Sequence, residues 1–352
     1  MDTVADSPTT ELEFSRVVEA FEHGRRRHPA LLSERRFRIA GQDVHLRVVG
    51  KRLAEEVTAP FVHHAARSEA GSAVLRIDAW HGAECGVAPV REDPASSLGP
   101  YGTVTASPDG SIVAEHRPHS AAWLDRREGH IVAWMADCDS MHLDERARPF
   151  HRMLAVAMGD RDVQFAHAGL VAADGKGALF VGKGGSGKST SCLTCLLEGM
   201  DFLGDDFVGV SSTEAGQHLG HSLYASAVVG LDHTDRYPVL AEEARPGRHP
   251  YETKSLVDLS GLGGGRLLSE VDLRAVVLPR VTGEERTSFR RATPRDGLIA
   301  LAPSSLMLVP GSHSKTLERL AALTSAVPCF WLDLGRDLGQ TAPQTRELLA
   351  TV

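Results

Sequence analysis

Cysteine is scarce in this chain, with five in 352 residues. A sparse, odd-numbered set excludes a disulfide-stapled scaffold and fits free thiols in a reducing compartment. Long apolar runs are also lacking. The most apolar stretch, residues 298–309, is interrupted by Pro303 and two serines and is too short to cross a bilayer. The opening dozen residues contain Asp2, Asp6 and Glu11 and no apolar core, so no signal peptide is read there. Positive charge is not in excess. The 38 Lys and Arg against 46 Asp and Glu leave a net charge of −8, which disfavours non-specific binding to nucleic acid or to an anionic membrane. No internal repeat or low-complexity tract is found. These absences describe a soluble, cytoplasmic protein with no nucleic-acid partner and no membrane partner.

What is present is ordinary globular composition, 42% hydrophobic and 24% charged, with length enough for about two domains. A short helix over residues 11–22 leads into an arginine cluster, Arg25, Arg26 and Arg27, followed by Arg35, Arg36 and Arg38. That run reads either as a solvated face or linker or as a patch for an acidic peptide or phosphate. Residues 44–48 alternate with period two, as a half-buried strand does. Residues 73–77, 102–106, 111–114 and 130–135 read the same way, with a turn at Ser107-Pro108-Asp109-Gly110 and one helix at about 55–64. A helix over 144–158 carries Phe150, Met153, Leu154 and Ala157 on one face. The boundary is placed there, giving a β-rich α+β domain over 1–144, assigned to substrate recognition, and a second domain over 145–352.

The second domain opens with a hairpin, strands over 163–172 and 177–181 about Asp174-Gly175. Directly after it, Gly182-Lys183-Gly184-Gly185-Ser186-Gly187-Lys188-Ser189 matches G-x-x-x-x-G-K-[ST] in full. The glycines let backbone N–H groups converge on phosphates, Lys188 supplies positive charge to the β and γ groups, and the Ser189 hydroxyl suits Mg²⁺. The helix after it, 190–198 and ending at Gly199, adds its positive dipole end. Gly182, Gly184, Gly185, Ser186, Gly187, Lys188, Ser189 and Thr190 are therefore the candidate ATP contacts. The pattern arises by chance in about one sequence in a hundred of this length.

The next element is Asp201-Phe202-Leu203-Gly204-Asp205-Asp206, a short apolar strand ending in two carboxylates. Phosphoryl transfer to an alcohol needs one carboxylate on the metal and one near the attacking hydroxyl. Adjacent strand residues point to opposite faces, so the pair can divide those tasks.

His167-Ala168-Gly169, the hairpin, the loop 182–189 and the pair Asp205-Asp206 resemble the kinase domain of the HPr kinase/phosphorylase family, whose members phosphorylate a serine on a small carrier protein. The resemblance covers about 50 residues closely. It implies an α/β P-loop kinase domain using ATP and Mg²⁺, with Lys188 on phosphate, Ser189 and Asp205 at the metal, Asp206 accepting the proton of the substrate hydroxyl, and His167 assisting. The chain departs from the family at Thr190, where an acidic residue is usual. It also departs at Tyr224-Ala225-Ser226-Ala227-Val228-Val229, where a glutamate-bearing signature is expected; the implied enzyme runs forward only. The segment Lys254-Ser255-Leu256-Val257-Asp258-Leu259 is similar to HPr kinase-like enzymes found beside natural-product peptide genes. Those enzymes phosphorylate a serine of a ribosomally made precursor, notably of lasso peptides.

Weaker signals have plainer readings. Cys192 and Cys195 fall on one helix as buried thiols, and Asp137, Asp139, His142 and Asp144 read as a polar loop with a helix cap. His218 and His221 read as ordinary surface or core histidines. Gly261-Leu262-Gly263-Gly264-Gly265 reads as a flexible loop. Lys254, with Arg245 and Arg248 as competitors, is a candidate for a second positive charge on the transferring phosphoryl group. The reading is a kinase acting on the serine hydroxyl of a peptide or protein, with a homo-oligomer left open. Two rivals are a kinase of a small hydroxylated metabolite and a nucleotide-dependent switch that transfers nothing.

Overall fold

The computed structural model describes residues 5–6, 10–65, 74–89, 102–306 and 313–352. The chain divides into two compact units, residues 1–160 with 245–256, and residues 161–244 with 257–352. The division falls at 160/161 rather than at 144/145, and the chain crosses back once to complete the first unit.

The first unit contains strands β1 (Ala5–Asp6), β2 (Leu32–Ile39), β3 (Gln42–Val49), β4 (Leu75–His81), β5 (Thr103–Ala106), β6 (Ile112–His116), β7 (Ser120–Asp125) and β8 (His130–Met135). They form one sheet in the order β1-β5-β6-β7-β8-β4-β3-β2. Its helices are α1 (Thr10–Arg27), α2 (Lys51–Thr58), α3 (Gly82–Cys85), α4 (Leu143–Ala147) and α5 (His151–Gly159). Helix α1 buries Phe14, Val17 and Phe21, spaced three and four apart, against Trp80, Trp123 and Val132. It runs past residue 22 to include Arg25, Arg26 and Arg27 in its last turn, where cations complement the carbonyl end of the helix. The cluster is therefore helical and not a linker.

Besides the two-residue β1, two strands are not legible in the periodicity. In β2, arginines mask an alternation whose inward members are Phe37 and Ile39. β7 reads through Ala121 and Ala122, too small to mark a face. The helix expected over 144–158 is two helices. Pro149 disfavours helical backbone at Arg148, which leaves the helical region at φ −139° and ψ 68°, and Phe150 takes φ 58° before α5 begins. The helix expected over 55–64 begins earlier as α2 and passes into a 3₁₀ turn at Ala59–His64, where Pro60 sits. Residue 73 of the expected 73–77 strand lies outside the described residues; β4 itself extends to His81.

The second unit contains β9 (Gln164–Ala166), β10 (Ala168–Ala173), β11 (Lys176–Val181), β12 (Asp201–Gly204), β13 (Val208–Ser212), β14 (His218–His221) and β15 (Ser226–Val229). Two short strands of the returning segment follow, β16 (Arg245–Pro246) and β17 (Ser255–Asp258), paired antiparallel. Then come β18 (Glu270–Val281), β19 (Ser288–Arg291) and β20 (Cys329–Leu334). The main sheet runs β12-β10-β11-β18-β14-β13-β9, with β20 on β18 and β19 on β20. Its helices are α6 (Lys188–Leu197), α7 (Leu231–Arg236), α8 (Pro238–Glu243), α9 (Pro294–Leu306), α10 (His313–Ala326) and α11 (Thr341–Thr351).

Both faces of this sheet are buried, which is why Ala178-Leu179-Phe180-Val181 is apolar throughout. Ala178 and Phe180 pack with Cys192, Leu193 and Leu196 of α6 and Leu348 of α11. Leu179 and Val181 pack with Leu301 of α9 and Leu320 and Leu323 of α10. The whole is a mixed α/β protein. Among the described residues no helix is long and apolar enough to cross a membrane.

Candidate functional site

The hairpin turn lies where the sequence predicts, with β10 antiparallel to β11 and Asp174 at φ 51° and Gly175 at φ 75°, but the strand expected over 163–172 is two, β9 and β10, broken at His167. From Val181 the chain enters the loop 182–189, which ends on the first turn of α6 with Gly187 as its N-cap. Gly187 has φ 102°, and a Cβ there would lie 2.6 Å from Leu334 Cδ1, so the loop passes tight against the C-terminal end of β20. β18 and β20 run parallel to each other, and β11 runs parallel to β18, so their C-terminal ends gather at the loop. The crevice outside such strand ends is where α/β sheets bind ligands.

Lys188 is buried at 6% exposure, and its Nζ donates to the Gly182 carbonyl at 2.7 Å. The ammonium is thus folded back over the loop that carries it. Ser186 Oγ is buried with no hydrogen-bond partner among the described residues. An orphaned buried hydroxyl costs about 1–3 kcal/mol, while the Ser186 backbone N–H is engaged within the loop, donating to the Lys183 carbonyl at 3.2 Å.

The two aspartates follow β12 and differ sharply. β12 is not the neighbour of β11, because β10 lies between them. Asp205 nonetheless reaches the loop: it is 7% exposed, and Ser189 and Lys188 of the loop lie close enough to favour its charged form against burial. Its Oδ1 is buried with no hydrogen-bond partner. Burial pushes its carboxyl up to about 6, with the neighbouring Asp206 charge adding to the rise. Asp206 has φ 74°, a backbone state costly for a residue with a Cβ. The pair is divided by this left-handed residue after the strand has ended, not by strand alternation. Asp206 is left one-third exposed, with its Oδ1 at 3.4 Å from His167 Nε2.

His167 sits at a break between β9 and β10. β9 pairs with β13 while β10 pairs with β12, so residue 167 and residues 205–207 face each other where both strands change partner. The His167 ring lies 5.0 Å from that of Phe207. Its backbone N–H donates to Ser305 Oγ of α9 at 3.1 Å. Neither Phe207 nor Ser305 is marked as functional by any local pattern in the sequence. Thr190 turns away from the loop's own chemistry, its Oγ1 lying 3.1 Å from His233 Nε2 on α7. His233 likewise carries no sequence signal, since only the fold brings residues 43 positions apart together.

Lys254 lies in the segment 245–256 of the first unit, where its carbonyl accepts from Gly247. Of its competitors, Arg248 is engaged by the Cys138 carbonyl at 2.5 Å and by the Glu56 carboxylate. All five cysteines are free and buried. Among the described residues no group of three or more His, Cys, Asp or Glu forms a metal cage. In the loop at 137–144, Asp137 caps a 3₁₀ turn, His142 caps α4, and Asp144 pairs with Arg117. His218 and His221 point to opposite faces of β14, bonding Ser212 and Ser211.

The site combines a buried ammonium, a helix N-terminus, a loop serine beside a buried carboxylate, and a more exposed Asp–His pair. Mg²⁺ is commonly held by one or two protein oxygens, with waters and substrate phosphates completing its shell, and Ser189 with the unsatisfied Asp205 oxygen fits that requirement. No family model and no curated protein matches the chain. Among solved structures it is similar to the Hpr(Ser) kinase/phosphatase from Coxiella burnetii, at 14% identity and a TM-score of 0.31, over 53% of this chain and 93% of that one.

Proposed function

We propose that the protein is an ATP- and Mg²⁺-dependent kinase that phosphorylates an alcohol, a serine hydroxyl of a peptide or protein. The observation that carries this reading is the contrast in burial and surroundings between Asp205 and Asp206. One carboxylate is buried against the loop serine, and the other stands more exposed beside a histidine.

The N–H groups of Gly184, Gly185, Ser186 and Gly187 and the Lys188 ammonium would hold the phosphates, with Thr190 at the start of the helix. Ser189 and Asp205 would hold Mg²⁺. When bound, Mg²⁺–ATP supplies the activated γ-phosphoryl group and neutralises charge on its oxygens. Lys188 leaves the Gly182 carbonyl for the phosphate, a stronger acceptor. Asp206 takes the proton of the acceptor hydroxyl, and His167 orients the Asp206 carboxylate. The new bond joins the serine oxygen to phosphorus, the bond to the nucleotide oxygen breaks, and ADP carries away that electron pair. Lacking the glutamate signature, the enzyme runs forward only; pyrophosphate formed from phosphoserine product and inorganic phosphate would contradict that point. A ribosomal natural-product precursor is the proposed acceptor class.

The test is transfer of γ-labelled phosphate from ATP to a panel of serine peptides and small alcohols. Phosphoserine in a peptide is expected, with Lys188→Ala losing triphosphate affinity and transfer together. Unchanged turnover in Lys188→Ala would overturn the reading.

A further inference from the structure

The eight-stranded sheet ends in β2, and we propose that this edge takes up an acidic, extended peptide segment as an added strand. Residues along a strand direct backbone N–H and C=O groups alternately to its two sides, so half of those in β2 face away from β3. Among the described residues the outer side makes one isolated bridge, Phe37 to Ala65, near the hairpin end. No described strand lies along residues 32–36.

The side chains say what would pair there. Between residues 22 and 47 the sequence holds seven arginines and three carboxylates, in a chain whose net charge is −8. Arg25 is held by Glu22 and Arg38 by Asp43, while Arg47 is spent on Asp78 and Glu22. Arg26, Arg27, Arg35 and Arg36 are exposed, and among the described residues no carboxylate pairs with them. Two of these lie in β2 itself, and the other two end the helix that leads into it. Charged residues on an edge strand commonly prevent pairing with another chain. Charge of one sign does so selectively: it repels a second copy of β2 and attracts a strand of opposite sign. Backbone bonds would supply affinity, and alternate acidic side chains would meet Arg36 on one face and Arg35 on the other. The inference stands apart from phosphoryl transfer, because binding is read without nucleotide.

The experiment uses the full chain and a fluorescent twelve-residue peptide alternating valine with aspartate, followed by anisotropy. Two further probes are its lysine counterpart and the acidic peptide N-methylated at alternate residues, which keeps charge but removes strand donors. The acidic peptide should bind, weakening with salt. The lysine peptide should not bind, and N-methylation should weaken binding by about tenfold or more. Arg35→Ser with Arg36→Ser should weaken it comparably while thermal unfolding stays unchanged. Equal binding of the N-methylated peptide, an unaffected double variant, or tighter binding of single-stranded RNA would each overturn the proposal.

Discussion

Gly169 leaves no space for a side chain against Cys192: a Cβ built on it would overlap the Cys192 Sγ and stand 3.5 Å from Asp205 Oδ1. Strand β10 thus touches α6 on one side and the Asp205 carboxylate on the other. This contact lets Asp205 be buried beside the loop although β12 and β11 are not neighbours. Gly169→Ala should destabilise the second unit by about 1–3 kcal/mol through overpacking. Adding Cys192→Ala should recover most of the loss. Hydrogen–deuterium exchange across α6 reads both, and undiminished protection in Gly169→Ala would show that the strand can shift freely.

The two aspartates should separate in their response to metal. Asp206→Asn keeps nearly the same shape but cannot accept the hydroxyl proton. It should retain ATP affinity within a few-fold and lower transfer by about a hundredfold or more. Asp205→Asn should instead raise the Mg²⁺ requirement, and added Mg²⁺ should partly restore transfer. Titrating Mg²⁺ in both variants, with nucleotide binding measured separately, distinguishes them. Rescue of Asp206→Asn and not of Asp205→Asn by Mg²⁺ would reverse the assignment.

In the first unit, Asp78 is 1% exposed and is held by Arg47 through two bonds of 2.7 Å and by His130 Nε2 at 2.8 Å. Arg76 lies 2.8 Å from His130 Nδ1, which leaves Nε2 to carry the hydrogen donated to Asp78. Burial alone would raise the Asp78 carboxyl. The bonds from His130 and Arg47 outweigh burial and hold it below the usual range. A carboxyl depressed in the folded state contributes stability that is complete above its unfolded value and is lost as pH falls through the folded one. Asp78→Asn should therefore cost about 3 kcal/mol at neutral pH, since it takes the buried carboxylate from both Arg47 and His130 and leaves Arg47 only Glu22 at 3.2 Å. The gap between variant and parent should close below about pH 4. A gap constant from pH 7 to pH 3 would mean that the carboxylate charge is not what the site uses.

The returning segment completes the first unit through Glu252. Its Oε1 accepts from the Leu143 backbone N–H at 2.5 Å, and its Oε2 from that of His249 at 3.0 Å. Glu252→Ala removes both charge-assisted bonds and should destabilise the first unit by about 1.5–3 kcal/mol. Nucleotide affinity of the other unit should stay within about twofold of the parent. Exchange at the start of α4 is the readout, and unchanged protection there would show the segment to be a passive connection. The same packing bears on truncation. A chain begun at residue 144 would keep α5 and the segment 245–256 but remove the sheet of the unit to which they belong, so it should aggregate.

Where local structure depends on residue type at fixed spacing, it is legible in the sequence. The strand–loop–helix passage at 182–189 is such a case, because glycines a few positions apart between an apolar run and a helical one permit the turn the chain makes there. The pair Asp205-Asp206 is legible as a pair for the same reason. The apolar run 178–181 announces a strand buried on both faces. What periodicity could not show was decided by the rest of the molecule. The division between Asp205 and Asp206 comes from a left-handed residue at the end of β12. The meeting of His167 with Asp206 comes from two strands changing partners at one level, across 39 positions of sequence. Strand β2 hides behind its arginines, and only the sheet order makes it an edge. The return of residues 245–256 to the first unit depends on Arg248, His249 and Glu252 finding Cys138, Ser140 and Leu143. Contacts between residues over a hundred positions apart leave no periodic trace in the chain, because their partners are chosen by packing and not by neighbours in sequence.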